Sequence, residues 1–147
     1  MIKSKFVKTL VASLLTVGAI AGYAGTSAYA KNNDDTEWSF SVFGDKGTCY
    51  TEARTKEDPS KVYCKIDNYN GEDDDYLQLY VVDSGKKKFS KTFPRTVTSE
   101  GQYSISSMAY EDKGITKVRL AFYAPYRYTY TWSADGVWSP DSSRDYK

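Results

Sequence analysis

The stretch Tyr76-Leu77-Gln78-Leu79-Tyr80-Val81-Val82-Asp83 carries the pattern that decides the fold. Leu77, Leu79 and Val81 alternate with Tyr76, Gln78, Tyr80 and Val82, the period of two expected when successive side chains point to opposite faces of a strand. Both sets are largely apolar, so this strand is expected at the centre of a sheet. Working outward, the same period recurs in Val118, Leu120 and Phe122, in Val62, Cys64 and Ile66, and in Trp38, Phe40 and Val42 against Ser39 and Ser41. Further strands are expected over 48–54, 88–93, 102–106, 126–133 and 137–138, with weak helical character over 107–112. Turn residues separate them: Gly44-Asp45-Lys46-Gly47, Asp58-Pro59, Asn70-Gly71, Ser84-Gly85-Lys86, Pro94, Pro125 and Ala134-Asp135-Gly136. About eight short strands at this spacing, with no internal repeat, predict an all-β antiparallel sandwich.

The start of the chain reads as an export signal. Lys3, Lys5 and Lys8 precede an apolar run over 9–24, and Ala28-Tyr29-Ala30 supplies the small residues a signal peptidase accepts. The run is shorter than the roughly 20 residues of a membrane-spanning helix. The expected organisation is a signal-peptide helix over 1–30, a polar disordered leader over 31–37 and a single β-sandwich domain over 38–147. Contact with membrane is expected only through the signal peptide before cleavage. The mature protein would be secreted, with retention at the cell envelope as a variant of that reading.

Composition narrows the chemistry. The full chain has a net charge of +1, and the charged residues of the expected signal peptide, Lys3, Lys5 and Lys8, are all basic, so the mature part is slightly acidic. That balance argues against a nucleic-acid partner, which calls for a strongly basic face. The chain contains 0 histidines, which removes Ser-His-Asp and Cys-His catalysis and His-ligated zinc or copper. No glycine-rich phosphate loop and no Gly-x-Ser-x-Gly elbow occurs. No metal and no cofactor is expected, and the protein is read as a non-enzyme. A two-carboxylate glycosidase stays open by residue type alone, although it needs a cleft for its substrate.

Four groups of side chains invite a role. Cys49 and Cys64 fall on consecutive expected strands, and a hairpin pairing them would centre near Lys56 and Glu57, inside the loop over 55–60. A disulfide there would close a loop of about 15 residues and stabilise the fold by roughly 3 kcal/mol. Tyr126, Tyr128, Tyr130 and Trp132 take alternate positions of one strand, opposite Arg127, Thr129 and Thr131. They form a candidate binding face for sugar rings or protein, or else pack into the core, which the more polar opposite set favours. Asp67, Asn68 and Asn70 precede Glu72-Asp73-Asp74-Asp75, an acidic loop without EF-hand spacing that reads as solvated. Lys86, Lys87, Lys88 and Lys91 flank a turn and read as a solvated hairpin tip, with an anionic envelope polymer as the weaker alternative.

Three segments resemble a family of small secreted proteins from Gram-positive bacteria catalogued as a domain of unknown function. Asn32-Asn33-Asp34-Asp35-Thr36-Glu37-Trp38-Ser39-Phe40-Ser41-Val42 is similar to that family's Asn/Asp-rich start with alternating Ser and aromatic residues. Tyr50-Thr51-Glu52-Ala53-Arg54-Thr55-Lys56, before Pro59 and Lys61-Val62, resembles its Tyr-x-x-Ala-Arg-x-Lys/Arg block. Gly136-Val137-Trp138-Ser139-Pro140-Asp141-Ser142 resembles its ending. The cysteine pair departs from that pattern. The resemblance implies no activity, cofactor or site residue, and accords with an exported, non-enzymatic protein.

Arg54 lies in the second of these blocks. A structural role is expected for it, with its guanidinium forming a fork to a carboxylate or to loop carbonyls. The resulting expectation is a secreted binding protein acting at or outside the cell envelope, on an unidentified envelope polymer or protein. A bacteriocin-like toxin is the alternative, and a small envelope-directed hydrolase the third reading.

Overall fold

In the computed structural model, which describes residues 34–43, 47–71, 75–125 and 131–142, the period-two segments form strands. The order is β1 (Thr36–Phe43), β2 (Gly47–Tyr50), β3 (Arg54–Lys56), β4 (Val62–Tyr69) and β5 (Leu77–Asp83). Then come β6 (Arg95–Val97), β7 (Gly101–Ile105), α1 (Ala109–Lys113), β8 (Thr116–Ala124) and β9 (Thr131–Ser139). One sheet has the order β1-β9-β4-β7, the other β2-β8-β5-β6 with β3 also on β8, and every pairing is antiparallel. The two sheets enclose one core, so the fold is an all-β antiparallel sandwich. The described residues fall within one compact unit, Lys31–Lys147.

Alternation decides which side chains enter that core. Leu77, Leu79 and Val81 of β5 face Val118, Leu120 and Phe122 of β8, while Val62, Cys64 and Ile66 of β4 come from the other sheet. Trp38 and Phe122 bridge the layers with ring centroids 4.3 Å apart, and Phe40 meets Phe122 edge-on at 5.0 Å. β5 is central, flanked by β8 and β6. Its second face is covered too: Val82 is buried although it stands outside the core cluster.

Several local expectations are corrected. Ala134-Asp135-Gly136 is not a turn but the middle of β9. Gly136 is required there because β9 runs against the irregularity of β4 between Ile66 and Asn68, where a Cβ would lie 1.9 Å from the Lys65 carbonyl oxygen. The segment over 88–93 forms no strand and makes only isolated bridges, Lys88 to Val82 and Thr92 to Ser107, whereas Arg95–Val97 beyond Pro94 pairs with β5. The strand expected over 48–54 is split into β2 and β3, both on β8, with Thr51 satisfying the gap: its N–H donates to the Leu120 carbonyl at 3.0 Å, and its hydroxyl oxygen accepts from the Leu120 N–H at 3.0 Å. β1 already begins at Thr36, inside the stretch read as a disordered leader.

The expected hairpin between the cysteine-bearing strands does not form. β2 belongs to one sheet and β4 to the other, because β2 pairs with β8 and β4 with β7 and β9. Cys49 is half-buried opposite Phe122, Cys64 is fully buried opposite Trp138, and both thiols are free, so the expected Cys49–Cys64 bond is absent from this structure. Burial pushes both thiols up from their ordinary pKa, against a smaller opposing pull on Cys64 from the Trp38 indole. A thiol held protonated in this way is a poor nucleophile.

Candidate functional site

The side of the five-stranded sheet turned away from the core carries a cluster of tyrosines. Tyr50 of β2 and Tyr80 of β5 both stand directly opposite Ala121 of β8, and Thr48 and Gln78 both stand opposite Tyr123. Directly opposed residues share a face, so Tyr50, Tyr80 and Tyr123 form one group around the small side chain of Ala121. Each tyrosine is half-buried, while Ala121 beneath them is fully covered. Burial raises the Tyr80 hydroxyl above its usual pKa, the Thr48 hydroxyl opposes that, and Tyr50 and Tyr123 add to it. The rings thus present apolar faces and hydroxyls together, the combination that suits stacking on a sugar or similar ring.

Lysines from the next turn reach over this surface. Lys86 Nζ lies 4.8 Å from the centre of the Tyr50 ring and Lys88 Nζ 5.3 Å from that of Tyr80. The turn that delivers them is tight: Lys86 N–H donates to the Asp83 carbonyl, and Asp83 N–H to the Lys87 carbonyl, both at 2.9 Å. Lys86 has φ 67°, a left-handed backbone that a lysine rarely adopts. Arg119, on the same face of β8, is held by the Ser84 carbonyl at 3.1 Å and the Thr51 carbonyl at 2.8 Å. Cations over rings contribute about 0.5–1 kcal/mol each at exposed sites, and Lys86 and Lys88 are both exposed.

A second constellation is buried where the three family-like segments meet. Arg54 of β3 donates to the carbonyls of Asp34 and of Trp138, the latter at 3.2 Å, and its guanidinium sits 5.8 Å from the centre of the Trp138 ring. Burial lowers the Arg54 pKa, opposed by the charges of Asp34, Asp35 and Asp141. Two residues on, Lys56 is fully buried and donates to the carbonyls of Ser60 and Pro140, the latter at 2.8 Å, and to Asp141 Oδ1 at 3.0 Å. Asp141 is likewise 0% exposed, and its carboxylate also accepts the N–H groups of Glu57 at 2.9 Å and Asp58 at 3.4 Å. Asp58 in turn accepts the Ser60 N–H at 2.8 Å. Burial opposes its ionisation, but bonds from Ser60 and the nearby Asp141 and Lys56 hold its carboxyl below the usual range.

The row singled out in the sequence fares differently. Trp132 is 1% exposed, inside the core, so it does not belong to an exposed platform; Tyr126, Tyr128 and Tyr130 lie outside the described residues. In the acidic loop, Asn68 donates to Asp135 at 2.9 Å, Asn70 is bonded to Thr131 and Ser133 of β9, and Asp67 pairs with Lys65; residues 72–74 lie outside the described residues. Among the described residues no group of three or more His, Cys, Asp or Glu side chains is placed to hold a metal. A depression of about 540 Å³ on the four-stranded sheet is lined by Glu37, Ser39, Asp67 and Asp135, but Asp67 and Asp135 already have the partners just named. Tyr50, Tyr80 and Tyr123 were not singled out from the sequence, although the apolar second face of 76–83 is their signal.

A family model described as a protein of unknown function (DUF2712) matches residues 26–142. No curated protein and no solved structure matches the chain.

Proposed function

The chain belongs to the DUF2712 family, whose description assigns no activity, and we propose that it is an exported, non-catalytic binding domain for an anionic sugar-containing polymer of the cell envelope. Its binding surface is the tyrosine face of the five-stranded sheet. The observation that carries this reading is the pairing of half-buried rings with cations above them: Lys86 over Tyr50 and Lys88 over Tyr80. Rings at Tyr50, Tyr80 and Tyr123 offer flat stacking surfaces for sugar units. The lysine ammonium groups and Arg119 supply charge for phosphates or carboxylates between them. Export follows from the Lys-rich start, the apolar run over 9–24 and Ala28-Tyr29-Ala30, and the secreted protein is expected to begin at Lys31.

The test is binding of the exported protein to purified wall polymers, one bearing sugars and phosphates and one neutral. Tight binding to the anionic polymer is expected, weakening as salt screens the lysines. Lys86→Gln with Lys88→Gln should remove most of the salt dependence. Tyr50→Ala with Tyr80→Ala should abolish binding while the domain still unfolds cooperatively. Unchanged binding in the tyrosine variant, or equal affinity for the neutral polymer, would overturn the assignment.

A further inference from the structure

We propose that Lys56 and Asp141 form an intramolecular isopeptide cross-link, the Lys56 amine condensing with the Asp141 carboxyl to join β3 to the segment that follows β9. The two groups are held 3.0 Å apart, Nζ to Oδ1, with both side chains 0% exposed. In the first step one proton crosses the contact from the Lys56 ammonium to the Asp141 carboxylate, giving a neutral amine and a carboxylic acid. The amine then has a lone pair beside the Asp141 carbonyl carbon. Its approach is fixed by the Pro140 carbonyl at 2.8 Å and by the Ser60 carbonyl, so no orientational freedom is left to lose on reaction.

The surroundings supply what the addition step needs. Attack of Nζ on Cγ places negative charge on a carboxyl oxygen, and the Glu57 N–H already donates to Oδ2 at 2.9 Å. Asp58 accepts the Ser60 N–H at 2.8 Å and donates its own N–H to Asp141 Oδ1 at 3.4 Å, which keeps its carboxyl beside the Lys56–Asp141 pair. It takes a proton from the nitrogen of the tetrahedral adduct and returns it to the departing hydroxyl. The balance is closed: an ammonium and a carboxylate become one secondary amide and one water, the C–N bond replacing a C–O bond. No oxidant or further reactant enters. Burial keeps bulk water from the amide and so opposes hydrolysis. The cross-link would join the two sheets, β3 lying in one and β9 in the other, which the unbonded cysteines do not do.

Intact mass of the folded full chain decides the matter, measured after complete reduction so that cysteine oxidation does not contribute. The expected mass is one water below that of the sequence, with residues 56 and 141 recovered in one branched peptide after digestion. Asp141→Asn should give the same branched peptide with loss of ammonia instead of water, and Lys56→Arg should have its full sequence mass. Asp58→Ala should fold yet cross-link about a hundredfold more slowly or not at all. If the Lys56 variant does not fold, the wild type and Asp58→Ala still decide. A wild-type protein at full mass, with Lys56 open to an amine reagent after denaturation, overturns the proposal. So does a lost water that maps to a cyclised aspartate without a joined peptide. Undiminished cross-linking in Asp58→Ala overturns the part assigned to Asp58.

Discussion

Gly136 shows how little space separates neighbouring strands in this sandwich. A Cβ there would sit 1.9 Å from the Lys65 carbonyl oxygen and 3.1 Å from the Ile66 Cα, both main-chain atoms that cannot rotate away. Any side chain must push β9 off β4, and two residues along these strands pair Trp138 with Cys64, both buried in the core. Gly136→Ala should therefore destabilise the domain by about 3 kcal/mol or more, the upper end of overpacking costs. Gly47→Ala is the natural control: nothing lies within 4 Å of its Cβ position, so the change should stay within about 0.5 kcal/mol. Denaturant unfolding of the two variants checks the pair, and equal midpoints would refute the close approach. Arg54 makes a related point through polar atoms. Its planar fork serves the Asp34 and Trp138 carbonyls while lying against the Trp138 ring, contacts a lysine ammonium does not reproduce together.

At the level of elements, the turn after β5 and the single-turn helix α1 are held to each other by carboxylates as well as by burial of Phe89 and Ala109 in the core. Asp83 accepts the Lys87 N–H at 2.9 Å and pairs with Lys113 of α1 at 3.1 Å. Asp112 of α1 accepts both the N–H and the hydroxyl of Ser90 at 2.7 Å. The Lys87 N–H, with Lys113, lowers the Asp83 pKa, and the Ser90 hydroxyl and N–H lower that of Asp112. A carboxyl with a depressed folded pKa stabilises in full above its unfolded value, near 3.9. That contribution is lost as pH falls through the lower folded value, because the unfolded chain then binds more protons. Melting temperature should therefore drop below about pH 4. The double variant Asp83→Asn, Asp112→Asn should melt lower at neutral pH and decline less steeply in acid. Some decline should remain, since Asp58 is depressed as well. Parallel curves for variant and wild type would show that these two carboxylates do not set the acid limit.

For the molecule as a whole, the sequence was most legible where alternation and burial coincide. Leu77, Leu79 and Val81 identified a central strand, and Val118, Leu120 and Phe122 another strand with an apolar face turned inward; the structure pairs the two. It was least legible where one residue type serves two purposes. Gly136 reads as a turn because glycine favours turns, yet it is there for a close approach of two strands that are far apart in sequence. Cys49 and Cys64 look like hairpin partners by spacing, but which strand pairs with which is a long-range property that spacing does not encode. The candidate sites were partly hidden for the same reason. Lys56 and Asp141 are ordinary surface residues by type, and only the meeting of β3 with the end of β9 buries them. Tyr50, Tyr80 and Tyr123 come from three strands, so no local window displays them as a group.

The same topology dictates where the fold opens first. β4 and β9 are inner strands of one sheet, β5 and β8 inner strands of the other, and each of these is bonded on both sides. β1 and β7 are the edges of the four-stranded sheet, while β6 and the short β2 and β3 border the five-stranded one. An edge strand can detach by breaking one ladder, whereas an inner strand must lose two. Val62, Cys64, Leu77, Leu79, Leu120 and Phe122 are all 1% exposed or less, yet the first and last residues of β1, Thr36 and Phe43, stand beside the ends of β9 alone. Native-state hydrogen exchange should therefore find the slowest amides at inward ladder positions of β4, β5, β8 and β9, approaching the global unfolding free energy. Amides of β6 and of the ends of β1 should exchange through local opening at a lower free energy. The cross-linking chemistry proposed for Lys56 adds a discriminating feature, because β3 is an edge strand of only three residues. Held by Asp141, its amides should be protected nearly as well as those of β8; in a Lys56→Met, Asp141→Leu variant they should fall to the level of β6. Edge amides of β1 slower than those of β4 would contradict the strand order from which this argument starts.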